Sequence, residues 1–189
     1  MDLLTGLFSA FGLSASAGLN AYIPLLVVAL LGRYTNLIQL NPPYDALTSW
    51  WVIGTLVLLS LVEFFADKIP VVNHVNDAIQ TIIRPVAGAI IFAASANVLT
   101  NVDPVLSLVA GLLVAGSVHA VKAVAVRPVV TATTAGTGNV AISVLEDLGS
   151  MALSIISVVL PVLIAVFTFL VVAWLIWRVR RRASVARLA

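Results

Sequence analysis

The sequence predicts an all-α protein that spans a membrane, and three observations support this fold class. Of the 189 residues, 61% are hydrophobic and only 10% are charged, whereas a soluble domain has about 45–50% apolar and about 25% charged residues. The mean hydropathy is +1.14. The apolar residues fall in runs long enough for spanning helices, which need about 20 of them. We therefore expect a single transmembrane domain over 1–178, with five to six crossings and one or two re-entrant or broken segments.

The composition also excludes several classes of function. The chain has no cysteine, which excludes disulfides, thiolate metal sites and a cysteine nucleophile. It has none of the phosphate-binding, zinc-protease or serine-hydrolase motifs, so we expect neither an enzyme nor a cofactor. The net charge of +2 conceals a concentration of bases after Trp177. Without that tail the domain is slightly acidic, and we expect no nucleic-acid partner.

The first apolar run, 3–32, is too long for one simple helix and is rich in small residues. A cleaved signal peptide is the alternative for its beginning. The chain starts with Met-Asp, however, and lacks the basic residues that precede a signal sequence. A polar loop over 33–48 follows, in which Asn-Pro-Pro at 41–43 cannot continue a helix.

Two helices are predicted next, over 50–66 and 76–96, separated by a short break at 67–74. Trp50 and Trp51 begin the first of them and are typical interfacial anchors. A turn without basic residues is expected over 97–104. It ends in an Asp-Pro pair that is typical of a helix start, and the helix that begins there should run to about 126.

The segment 127–139 is more polar than its neighbours, with four threonines, two glycines and a proline. We expect a re-entrant or broken element packed inside the protein, because irregular backbone at membrane depth must be buried or line a cavity. An exposed loop is the alternative.

The last apolar run, 140–177, would measure about 57 Å as one helix, nearly twice the hydrocarbon core of about 30 Å. It should therefore break, near Gly149 or Pro161. The basic tail over 179–189 should be cytoplasmic, because loops rich in Lys and Arg stay on that side of the membrane.

The two halves of the chain, 1–100 and 101–178, resemble each other weakly. Each has a small-residue stretch, then a proline, a glutamate within an apolar helix and a further proline. Such a pattern is typical of transporters built from inverted repeats. The alternative is coincidence in an apolar chain with eight prolines.

Many ionisable residues lie at membrane depth, where each costs about 2.5–3.5 kcal/mol on insertion scales unless it faces a cavity or a partner. Besides two histidines, His74 and His119, there are five acids and four bases. These are Glu63, Asp67, Asp77, Glu146 and Asp147, with Lys68, Arg84, Lys122 and Arg127. Some of those near loops, such as Lys68 and His74, could be interfacial, and a purely structural ion pair is the alternative for the deeper ones.

Helical spacing places several of these charges on common faces. Glu63 and Asp67 are four residues apart, and Asp77 and Arg84 are seven apart, so each pair can face one cavity. We therefore expect one binding site for an ion or small charged solute. Its residues should be Glu63, Asp67, Asp77, Arg84, Lys122, Arg127, Thr133, Thr134, Asn139, Glu146 and Asp147. The identity of any bound metal stays open.

A set of motifs resembles a family of bacterial multi-spanning membrane proteins that is catalogued as domain of unknown function 4126. The motifs are EFFADKIP at 63–70, RPVAGA at 84–89, TTAGTGN at 133–139 and SVLED at 143–147, with Asp77, Lys122 and Arg127. The resemblance covers nearly the whole chain. It implies the fold, the key positions and a place in the bacterial inner membrane, and it names no substrate.

The function expected from these residues is that of a small secondary transporter or channel. One alternative is a lipid-handling protein in which the bases hold a phosphate head group. The other is a structural or assembly protein whose buried charges only fix the packing. The expected partners are the lipid bilayer, an ion or small charged solute, and further copies of the chain in a homo-oligomer.

Overall fold

The computed structural model describes residues 3–96, 102–134 and 137–161, and eleven further residues between 163 and 178. Seven α-helices make up most of these ranges, and no strand occurs in them. The helices are α1 Leu3–Leu19, α2 Tyr22–Tyr34, α3 Trp50–Ala66, α4 Pro70–Ala96, α5 Pro104–Val121, α6 Arg127–Thr134 and α7 Gly138–Val159. A 3₁₀-helix, Tyr44–Thr48, precedes α3, and a π-helical turn, Lys122–Val126, joins α5 to α6. The all-α prediction is confirmed.

Helices α1, α4, α5 and α7 form the centre of the bundle. Ser16 of α1 bonds Ser150 of α7, and Ser9 bonds Ser157, so these two helices are antiparallel. α1, α3 and α5 therefore end at the same end of the bundle, where α2, α4 and α7 begin. The core between them consists mainly of small and branched apolar side chains such as Ala17.

Within the described ranges, three helical stretches are long and apolar enough to cross a membrane: Val75–Ala96, Pro104–Thr134 and Gly138–Val159. The helices α1, α2 and α3 are apolar but shorter. Large hydrophobic side chains are exposed around the outside of the bundle, among them Trp51 and Phe65. This distribution suits a lipid environment, in which such side chains need no further cover.

Several helix boundaries agree with the sequence prediction. α3 covers the predicted range, and the Ser49 side chain caps it by accepting a hydrogen bond from the Val52 N–H. Asp103 caps α5 in the same way, with bonds of 2.8 and 2.9 Å from two backbone N–H groups. α4, however, begins at Pro70. The break between α3 and α4 therefore covers only 67–69, and the predicted break over 67–74 was too long. Proline is favoured in the first turn of a helix because it lacks a backbone N–H, and an N–H at that position would have no helical acceptor.

The prediction that 127–139 is packed inside the protein was wrong. The helix of α5 continues through the π turn into α6, and Thr133, Thr134 and Thr137 are exposed. The threonine hydroxyls form hydrogen bonds within their own helix. Thr133 donates to the Val129 carbonyl at 2.8 Å, and Thr134 donates to the Val130 carbonyl at 2.7 Å. A threonine-rich stretch can therefore remain helical on an exposed surface without a buried partner.

The predicted break in the last apolar run occurs at its proline. Leu160, which follows α7, leaves the helical conformation with φ −134° and ψ 59°. Gly149 lies inside α7 and does not interrupt it. The turn predicted before α5 lies mostly in 97–101, and the basic tail is 179–189; both ranges fall outside the described residues.

The closest helix contact is that of α4 with α5 at Gly88 and Gly111. A Cβ added to Gly111 would clash with the Gly88 carbonyl oxygen, whereas a Cβ on Gly54 of α3 would meet nothing within 4 Å. We expect Gly111→Ala to lower the free energy of unfolding by about 1–3 kcal/mol, as overpacking does. Gly54→Ala, the matched control, should be neutral or stabilising, because alanine favours helices. Thermal unfolding of both variants in detergent measures the difference, and equal melting temperatures would contradict it.

Candidate functional site

Ten ionisable side chains, from six helical elements and the turn after α3, meet where α3 and α5 end and α4 and α7 begin. We call this group the ionic network. Its members are Glu63, Asp67, Lys68, Asp77, Arg84, His119, Lys122, Arg127, Glu146 and Asp147. Every site acid and base expected from the sequence is among them.

The deepest contact of the network is an ion pair between α3 and α4. Arg84 Nη2 lies 2.8 Å from Glu63 Oε1, and each side chain is only 1% exposed. Arg84 Nη1 also lies 3.2 Å from His119 Nδ1 on α5. One guanidinium therefore connects three helices.

The hydrogen bonds of His119 define its protonation state. The single hydroxyl proton of Thr81 is donated to the Asp77 carbonyl at 2.8 Å, so Thr81 can only accept from His119 Nε2, 3.2 Å away. Nδ1 faces the Arg84 guanidinium, which can only donate. Both contacts are satisfied by a neutral imidazole with its proton on Nε2.

Arg127, at the start of α6, joins three carboxylates. Its guanidinium lies 3.3 Å from Asp67 and 3.3 Å from Glu146, and it also pairs with Asp77. Asp67 is held in addition by Asn76 at 2.6 Å and Ser143 at 3.3 Å. Arg127 is thus the common counter-ion of acids on three separate elements.

The π turn explains how Lys122 and Arg127 reach the same acid. In a regular α-helix, residues five apart point in different directions. Here the Arg127 N–H bonds the Lys122 carbonyl, so five residues close one turn and both side chains project to one side. Lys122 lies 2.7 Å and Arg127 3.3 Å from the same oxygen, Glu146 Oε2.

The break between α1 and α2 is tied to the network through Asn20. Its side-chain oxygen accepts hydrogen bonds of 3.0 Å from the N–H groups of Tyr22 and Ile23, which caps α2. Its amide nitrogen donates to Asp147 at 3.0 Å. Lys122 donates to the Leu19 carbonyl at 3.2 Å. Two N–H groups and one carbonyl at this helix break are thereby satisfied.

Lys68 and Asp147 lie at the outer edge of the network. Their charged atoms are 3.7 Å apart, and the side chains are 20% and 14% exposed. Lys68 also donates to the Phe64 carbonyl at 2.9 Å and lies over the ring of the same residue. This pair is looser and wetter than the buried pair of Glu63 and Arg84.

The network contains five acids and four bases besides His119, so full ionisation of these groups would leave one excess negative charge. Glu63 Oε2 and Glu146 Oε1 are buried and accept no hydrogen bond from a described residue; Asp147 Oδ2 also accepts none but lies 3.7 Å from the Lys68 ammonium. Buried acceptors of this kind are costly unless a proton, a cation or water satisfies them. No group of three or more acids and histidines among the described residues has the arrangement of a metal site.

Three of the expected site residues lie outside the network. Thr133 and Thr134 are exposed, and Asn139 exchanges hydrogen bonds of 3.2 and 3.0 Å with Thr131 at the turn between α6 and α7. Their place in the expected site followed from the prediction that their segment is buried. Asn20 and His119 were not among the expected site residues. The three-residue spacing of His119 and Lys122 was a usable signal for the latter, since it puts both on one helix face.

The fold and the site together define a class of protein. In its described residues the chain is almost entirely helical and encloses a buried ionic network, and three of its helices are suited to cross a membrane. Residues 7–181 match the family model described as "Domain of unknown function (DUF4126)". The chain belongs to this family, as the motifs of its sequence indicated. No curated protein and no solved structure matches it.

Proposed function

We propose that the protein is a small secondary transporter whose ionic network binds a proton or a monovalent cation during each transport cycle. The observation that carries this proposal is the buried carboxylate set, in which acids outnumber bases by one and two oxygens, Glu63 Oε2 and Glu146 Oε1, have neither a hydrogen bond nor an ion pair among the described residues. Such a site gains most from one added positive charge. A site built only to hold helices together would leave fewer acceptors unsatisfied.

The pairing of the bases favours a cation over a phosphate group. Arg84 is paired with Glu63, Lys122 with Glu146, and Arg127 with three acids. An anion would have to displace these carboxylates from a region that is already negative, against like-charge repulsion. The lipid-phosphate alternative is therefore less well supported than cation or proton binding.

Glu146 is the carboxylate best suited to change its occupancy. Oε2 is shared by Lys122 and Arg127, whereas Oε1 has no hydrogen-bond partner among the described residues. Protonation of Glu146 would weaken its attraction for both bases at once. Since Arg127 also holds Asp67 and Asp77, the change would reach the end of α3 and the first half of α4, which Arg127 connects to α7.

The proposal includes five to six membrane crossings in the bacterial inner membrane, with the C-terminus in the cytoplasm. In this arrangement the shorter helices α1, α2 and α3 would cross together with the three long ones. Each half of the chain supplies one glutamate bound to a base, Glu63 to Arg84 and Glu146 to Lys122. This correspondence supports an inverted repeat.

Proton flux into liposomes tests the proposed function. With purified protein in vesicles that contain a pH-sensitive dye, an imposed Na⁺ or K⁺ gradient should change the internal pH. Glu146→Gln should reduce the rate by about 100-fold, in the range expected for losing a proton-transferring group. The melting temperature should also fall, because the buried Lys122 loses its counter-ion, so the rate is compared for equal amounts of folded protein. Asp45→Asn removes an exposed carboxylate outside the network and should leave the rate unchanged. Wild-type vesicles that are silent to both cations would instead indicate a structural clamp.

A further inference from the structure

A row of buried polar residues runs along one face of α7, away from the ionic network. We call it the serine stripe, and its members are Ser143, Glu146, Ser150, Ser154 and Ser157. The spacing of three or four residues keeps them on a single face. From Glu146 to Ser157 the stripe extends about 16 Å, roughly half the thickness of the hydrocarbon core.

Hydroxyls of α1 meet the serine stripe from the opposite side. Ser16 Oγ lies 2.8 Å from Ser150 Oγ and 2.7 Å from Ser154 Oγ, which links three hydroxyls in a row. Farther along, Ser9 Oγ donates to the Ser157 carbonyl at 2.6 Å. Each of these three hydroxyls also reaches a backbone carbonyl, Ser16 and Ser154 that of Ser150 and Ser150 that of Ser16. A hydroxyl both donates and accepts, so the row can pass a proton when its hydroxyls rotate away from these carbonyls, where charged groups would be too costly.

A cavity of about 150 Å³ lies at the far end of the stripe. Its polar lining comes from Ser9 and Ser95 and from the loop after α2, at Asn36 and Gln39. Ser95 is 7% exposed, and its Oγ has no hydrogen-bond partner among the described residues. The cavity is large enough for several waters, and its hydroxyls and amides provide the polar partners that ordered water needs.

Unpartnered buried atoms thus lie at both ends of the stripe, Glu146 Oε1 at one and Ser95 Oγ at the other. We propose that the cavity and the serine stripe form a water-containing path that connects the ionic network to the opposite end of the bundle. The path supplies or releases protons at Glu146, and in this respect it rests on the proposed function. Water is needed where the hydroxyls do not touch, most clearly over the helical turn between Glu146 and Ser150.

The absence of native cysteine makes the path testable by single substitutions. Ser95→Cys places a thiol in the cavity, and Ser154→Cys places one in the middle of the stripe. Ala94→Cys is the matched control, because Ala94 is at the same depth as Ser95 but is fully buried and does not line the cavity. The probe is the small water-soluble reagent 2-aminoethyl methanethiosulfonate, added to the full-length protein in vesicles.

We expect both serine-derived thiols to react about tenfold or more faster than the control, since a thiolate forms readily only where water reaches it. Ser16→Cys is a second probe of the same row of hydroxyls, for the case that Ser154→Cys does not fold. Reaction at the stripe as slow as at Ala94→Cys would show a dry helix contact and overturn the path. Labelling without proton flux would refute the proposed function and leave the path standing. Proton flux with an unreactive stripe would refute the path and leave the proposed function standing.

Discussion

Replacing Arg84 with methionine should lower the free energy of unfolding by about 3–5 kcal/mol, the cost of leaving one partner of a buried ion pair uncompensated. Glu63, at 1% exposure, would lose the one base that lies within hydrogen-bonding distance of it in the described part of the chain. His119 would lose the donor that faces its Nδ1. Chemical or thermal unfolding of the purified variant in detergent measures the change.

A double substitution separates loss of the charge pair from loss of packing. Glu63→Met combined with Arg84→Met removes both charges and keeps similar volume, so it should recover much of the stability that the single variant loses. Replacement of buried ion pairs by apolar residues is often neutral or stabilising. A double variant that is destabilised by the sum of the two single changes would contradict this account. In the flux assay the double variant should stay inactive, because the proposed site would have lost a carboxylate.

Replacing Arg127 with glutamine should cost about 3 kcal/mol of stability and abolish proton flux. Three carboxylates, Asp67, Asp77 and Glu146, would then face one another with Lys122 as the remaining base close to one of them. Like charges at this distance repel strongly in a poorly solvated site. We expect the melting temperature to fall and the flux to disappear together.

Two companion variants identify the cause. Arg33→Gln removes an arginine that lies outside the network, where it bonds the Thr48 carbonyl and covers Trp50, and it should leave flux unchanged. Asp77→Asn added to Arg127→Gln removes one repelling carboxylate and should restore part of the stability. If the added substitution destabilised the protein further, repulsion among the acids would not be the reason for the loss.

The sequence predicted that these acids and bases would meet inside the protein, because a membrane makes isolated charges expensive. Each of Glu63, Arg84, Lys122 and Glu146 is surrounded by apolar sequence, and such a residue needs a partner inside the protein. The existence of a network could therefore be predicted. Its pairing could not, because Arg127 reaches Glu146 only through a π turn, and nothing in the local sequence specifies that extra residue.

The threonine-rich segment shows why polarity alone is a poor guide to burial. Thr133 and Thr134 bond carbonyls of their own helix, so the segment needs neither water nor a partner to be satisfied. For Asn20 the prediction failed in the opposite direction, because a buried polar residue with a structural role was not expected there. It lies in a stretch of small residues that reads as simple helix packing, yet its side chain caps α2 and holds Asp147. Both outcomes depend on which backbone groups are left free, and this is decided by the three-dimensional course of the chain.

The separation of the network's partners along the chain has a consequence for how the protein is made. Arg127 follows Asp67 by 60 residues and Asp77 by 50, and α7 bonds α1 across 134 or more residues. The ribosome therefore delivers the acids of α3 and α4 well before their arginine. Until α5 and α6 emerge, Asp67 and Asp77 must wait near the aqueous exit of the insertion machinery or remain protonated. Glu63 and Arg84, only 21 residues apart, can enter the bilayer already neutralised, so the first half assembles around this pair and the rest of the network closes last.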